Sequence, residues 1–210
     1  KRQVRRRETI AMTPINALRG LQIFTGGQLK QVDPTQKANN KERVFASIRE
    51  ITETRANPAV ASSGLSIQYA ILMGLIDDAC EKHKGKTIKI IVPPNCYGGT
   101  NDQARRVAAC IKGVEITDLP VDGGNDMVQC IEQVLEQTAK EDAVPYIIAE
   151  IPTNPRVEVP DLIALKVALS KNRKTKNGTP AVEPVFILDQ TFCPNIHFLG
   201  DGEILSSVRA

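Results

Sequence analysis

Hydrophobic positions along this chain fall into two rhythms that change over several times. Residues 42–54 carry Val44, Phe45, Ile48 and Ile51 at helical spacing, and Asn57-Pro58 ends that stripe. Residues 60–62 suit a short extended piece. Ser63-Gly64 then opens a second helix through Leu65, Ile67, Ile71, Leu72, Leu75 and Ile76. Beyond it, short β-branched runs alternate with helical stretches. The pattern predicts strands over 87–92, 114–121, 146–151 and 185–189, and helices near 102–111, 127–139 and 162–170. Apolar strands alternating with helices give an α/β fold with a mostly parallel, doubly covered sheet. Residues 1–40 show only weak periodicity and are broken by Gly26-Gly27, Asp33-Pro34 and Asn39-Asn40. They read as an irregular N-terminal arm, leaving 41–210 as the main domain.

Charge sharpens the division. The net charge is +3, yet Lys1, Arg2, Arg5, Arg6 and Arg7 crowd the first seven positions. Without them and Glu8, 22 basic residues face 23 acidic ones, so bulk charge gives no footing for nucleic acid. The basic arm suits a solvated or subunit-docking terminus. An apolar fraction of 41% with 24% charged residues is that of an ordinary globular domain. No apolar run approaches membrane-spanning length, and no secretory leader is visible. Cys80, Cys96, Cys110, Cys130 and Cys193 form no C-x-x-C pair and lie in apolar stretches, as buried thiols do, which favours a reducing cytoplasm. The Lys-rich stretch 171–180 reads as a solvated loop, and its Asn177-Gly178-Thr179 sequon as chance. His83 and His197 lie in no metal-ligand spacing.

Four short segments stand where an element begins or ends. They are Ser62-Ser63-Gly64-Leu65, Tyr97-Gly98-Gly99-Thr100, Pro152-Thr153-Asn154-Pro155 and Asp189-Gln190-Thr191-Phe192. The first opens a helix, where unpaired N–H groups attract a phosphate, or where Ser63 is simply a cap. Tyr97 follows a strand end and can stack on a flat ring and offer its hydroxyl as acid or base, or pack structurally. Asn154, between prolines, can hydrogen-bond a ligand or close its own turn. Glu150, just inside the strand end, can brace that loop. Asp189 ends an apolar strand, where a carboxylate needs a partner such as a protonated pyridine nitrogen, or caps the next turn. Ligands in such sheets sit outside the carboxyl ends of the strands, where Tyr97, Asn154 and Asp189 all fall. Neither G-x-x-x-x-G-K-[ST] nor G-x-G-x-x-G occurs, so nucleotide folds gain no support.

In this order, and over residues 41–199, the segments SSGL, YGGT, EIPTNP and DQTF resemble those of the pyridoxal phosphate (PLP) enzymes of cysteine and methionine metabolism. That family comprises cystathionine synthases and lyases and methionine γ-lyase, of fold type I. The resemblance implies that Ser63, Gly64 and Leu65 hold the phosphate and that Tyr97 stacks on the ring and serves catalysis. It implies further that Asn154 contacts the phenolic oxygen region, Asp189 pairs with the ring nitrogen and Thr191 lies against the cofactor. The implied reaction is proton removal at Cα with elimination or replacement at the β or γ carbon of an amino acid, in a homodimer or homotetramer with shared sites.

The pattern departs from the family at three places. No lysine follows Asp189, the last being Lys176, so the Schiff-base lysine is expected in a missing continuation of an excerpted chain. The arginine-bearing C-terminal domain is expected there too. The segment with which one subunit reaches its neighbour's phosphate has no counterpart in residues 1–60, and the basic arm is a candidate substitute. Two alternatives stay open: a non-catalytic PLP-binding or scaffolding homologue, and an aminotransferase-like enzyme of the same fold type.

Overall fold

The computed structural model describes residues 14–28, 34–121 and 126–210. The basic arm at residues 1–7 lies outside them. By contacts the chain divides into two units, Lys1–Val44 and Phe45–Ala210.

The first unit departs from the expected irregular arm. It contains helix α1 (Pro14–Phe24), and α2 (Pro34–Thr52) starts within it. Proline suits both starts, because the first helical position needs no backbone donor. α1 buries none of its residues, and Ile15, Leu18, Leu21, Ile23 and Phe24 are all exposed.

In the second unit, α3 (Gly64–Lys82) starts where expected. Ser63 accepts from the Ser66 amide, and positive-φ Gly85 turns the chain after the helix. β1 (Ile88–Val92), α4 (Gly98–Cys110), β2 (Val114–Asp118), α5 (Met127–Lys140), β3 (Val144–Glu150), α6 (Leu162–Ser170) and β4 (Val185–Asp189) follow. Asp126 caps α5, and Asp161 caps α6 through two amides. Residues 60–62, expected to be extended, form no strand.

The strands form one parallel sheet in the order β2-β1-β3-β4. Its two faces bury different side chains, as strand pleating requires. Ile90, Val92, Tyr146 and Ile148 pack under Leu72, Ile76, Ala104 and Val107 of α3 and α4. Ile91, Ile147, Ala149 and Phe186 pack under Ile131, Leu135, Leu165 and Leu169 of α5 and α6. Every residue of β3 is buried, and the Tyr146 hydroxyl donates to the Leu75 carbonyl at 2.7 Å. The sheet is thus covered on both faces.

Two expectations from composition fail. The five cysteines are free thiols, but none is buried, and Cys80 and Cys110 are exposed. A cysteine on the outer side of an amphipathic helix sits among apolar neighbours in sequence without joining the core. The Lys-rich loop is not wholly solvated either. Arg173 is buried, donates to the carbonyls of Ala168 and Lys171, and pairs with Glu136.

Candidate functional site

Strand order fixes where a ligand can enter. α4 carries the chain from β1 outward to β2, whereas α6 carries it from β3 outward to β4 on the other side. The loops leaving β1 and β3 therefore diverge and open a crevice at the carboxyl ends of the strands. Tyr97 follows β1, Asn154 follows β3 and Asp189 ends β4.

Glu150, the last residue of β3, ties these loops together. Its Oε1 accepts from the Tyr97 amide at 2.8 Å, and its Oε2 accepts from the Asn154 amide at 3.3 Å. It is also the register partner of Asp189 on β4. Glu150 is only 8% exposed, and burial, reinforced by the Asp189 charge, raises its pKa above the usual carboxylate value. The half-buried Cys96 thiol is pushed up to about 12, first by the desolvation of its partial burial and then by Glu150, so it stays protonated.

The helix starts meet on the far side of Tyr97. A Cβ placed on Gly99 would lie 2.6 Å from the Tyr97 ring and 3.1 Å from a Leu65 methyl, so only glycine leaves room for both. Gln103 donates to the Leu65 carbonyl at 2.9 Å, and Gln68 exchanges hydrogen bonds with Thr100. These bonds fasten the starts of α3 and α4 together. At α3, Ser63 satisfies the Ser66 amide with its side chain and the Ile67 amide with its carbonyl. The amides of Gly64 and Leu65 remain at the positive end of the helix, with nothing within 4 Å of where a Gly64 Cβ would stand.

The Asn154 turn is closed by Thr153, whose backbone and hydroxyl bond Val157 and Glu158, and Asn154 borders a small pocket with Asn95, Cys96 and Glu150. Asp189 accepts from the Thr191 amide at 2.9 Å and the Thr191 hydroxyl at 2.6 Å, both at Oδ1. Its Oδ2 is left for another donor. Tyr97 is 53% exposed.

The structure therefore links all four segments: Leu65 to Gly99 and Tyr97, Tyr97 through Glu150 to Asn154, and Glu150 across the ladder to Asp189 and Thr191. Sequence reading missed Gln68 and Gln103, whose glutamines on helical stripes carry no distinguishing pattern. It also missed Asn95, whose Oδ1 is buried without a hydrogen-bond partner beside the pocket that Glu150 and Asn154 border.

No protein-family model matches this chain. No curated protein matches it in sequence. Solved structures do match in shape. The cystine C-S lyase C-DES, bound to its product cysteine persulfide, gives a TM-score of 0.56 at 11% identity, over 84% of this chain and 42% of that one. Sphingosine-1-phosphate lyase from Burkholderia pseudomallei gives 0.55 at 11% identity, over 77% and 35%. Mouse CSAD gives 0.51 at 15% identity, over 73% and 32%. This chain thus spans about a third to two fifths of the length of the structures it matches. What is shared at such identities is the fold: the parallel, doubly covered α/β sheet of the large domain of fold type I PLP-dependent enzymes.

Proposed function

We propose that this chain is the cofactor-binding part of a PLP-dependent carbon–sulfur lyase or γ-synthase-type transferase of sulfur amino acid metabolism. The observation that carries the reading is the junction of four PLP-type segments around Glu150 at the sheet's carboxyl edge. The similarity in shape to C-DES, of which another structure holds glycine covalently linked to its PLP cofactor, supports it.

The residues suit the cofactor. The free amides of Gly64 and Leu65 meet a phosphate at a helix N-terminus, with Ser63 holding the turn. The half-exposed Tyr97 ring offers a stacking plate and an acid–base hydroxyl. Asn154 offers its amide to the phenolic oxygen, and Oδ2 of Asp189 offers a charge to the ring nitrogen while Thr191 orients that carboxylate. When bound, PLP supplies an electron sink for charge developing at the substrate's Cα. The chain's own part is to hold the ring flat, keep its nitrogen protonated through Asp189, and place the Tyr97 hydroxyl beside the reacting centre. A shared site in a homodimer or homotetramer belongs to the same proposal, and the exposed apolar residues of α1 support it.

Borohydride reduction of the full-length protein loaded with PLP, followed by peptide mapping, tests this. A pyridoxyl adduct on a lysine is expected. Bound PLP released without any adduct would favour a non-catalytic PLP protein, and no binding at all would overturn the reading.

A further inference from the structure

The loops that face each other across the crevice come from distant parts of the chain. Tyr97 stands at the start of α4, and Asn154 stands in the turn after β3. Neither loop bonds the other directly. Both bond one buried side chain through their backbones, and they use opposite oxygens of it: Tyr97 N–H to Oε1, Asn154 N–H to Oε2. The side chain leaves the last residue of the most buried strand, so its own position is set by the sheet. A carboxylate is the one side-chain group of this size with two acceptor oxygens and no donor.

We infer that Glu150 is a positioning residue that sets the spacing between the Tyr97 and Asn154 loops and so the width of the slot that would hold a flat ring. Rigid support behind ligand-contacting groups is what gives them their geometry. The inference rests on the PLP reading for the identity of the ring, and on the hydrogen bonds alone for the clamp.

Glu150→Gln separates the two halves of the clamp. A glutamine keeps one acceptor oxygen and turns an NH2 group toward the second amide, so it can hold one loop and must repel the other. The shorter Tyr97 bond is the one expected to survive. Glu150→Ala releases both loops.

The measurement is site-resolved amide hydrogen exchange on the full-length protein, with PLP affinity titrated on the same samples. In Glu150→Gln the Asn154 amide should exchange about tenfold faster or more while Tyr97 stays protected. In Glu150→Ala both should speed up, while amides within β3, such as that of Ile147, stay at wild-type rates. PLP affinity should fall in the same order. Wild-type exchange at Tyr97 and Asn154 in Glu150→Ala would overturn the clamp. So would a uniform rise that includes Ile147, because that marks a general loss of stability. If the exchange pattern holds but the wild type binds no PLP, the clamp stands and the PLP reading falls.

Discussion

Glu150 and Asp189 stand opposite each other in the β3–β4 ladder, so two carboxyl groups end adjacent strands at one edge of the sheet. Burial raises the Glu150 pKa from its ordinary 4.5, and Asp189 adds to the shift. A carboxyl that binds its proton more tightly when folded stabilises the fold fully below its unfolded pKa. That stability is lost as pH rises through the folded value. The urea midpoint of Glu150→Gln should therefore gain on the wild type as pH climbs from about 4.5 through the raised value. Parallel pH profiles for the two proteins would refute this coupling.

Gly99→Ala probes the joint between Tyr97 and Leu65. The added carbon would meet the Tyr97 ring at 2.6 Å. Because that ring is half exposed it can swing outward, and alanine favours the helix, so the melting temperature should barely move. PLP affinity should fall by up to about tenfold, the worth of one lost stacking contact. A large drop in melting temperature with unchanged affinity would contradict this.

Asp189→Asn keeps the shape of the side chain and removes its charge. Replacing a charged acceptor should weaken PLP binding by roughly tenfold to a hundredfold. Fluorescence titration of both proteins with PLP measures it. Equal affinities would show that Oδ2 has no part in holding the ring.

Asp161→Ala serves as a structural control away from the crevice. Asp161 caps α6 by accepting from the Ile163 and Ala164 amides at 2.9 and 3.0 Å. Its loss should cost about 1 kcal/mol in denaturant unfolding and leave PLP affinity untouched.

Arg173→Lys tests the buried guanidinium. Its two terminal nitrogens reach the carbonyls of Ala168 and Lys171, 2.8 and 3.1 Å away, and a single ammonium cannot replace that fork. A loss of about 1–3 kcal/mol is expected, read from urea unfolding.

Elements whose local signals agree were legible in the sequence. β4 is a run of four apolar residues closed by Asp189, and α6 has Asp161 at its start, so both ranges match the prediction residue for residue. α1 was obscured because Gly20 interrupts a helix only 11 residues long and Gly26 and Gly27 follow just beyond its end. The start of α4 was placed four residues late, since Gly98 and Gly99 look like a loop until their close contact with Leu65 and Tyr97 is seen. Arg173 sits in a run of charges, and only tertiary folding decides which one is buried. The crevice depends on strand order, which pattern along the chain does not encode. The residues around it were identified from their motifs, whereas their attachment to Glu150 needed coordinates.

The strand order also bears on assembly. β1 and β3 touch along their length, yet α4, β2 and α5 all lie between them in the chain. The halves of the crevice meet only once that whole excursion has folded back, so a partly folded chain has no slot to fill. Any ligand that bridges the Tyr97 and Asn154 loops binds the finished fold alone and must raise its unfolding temperature with concentration. Occupancy would then act as a report on folding.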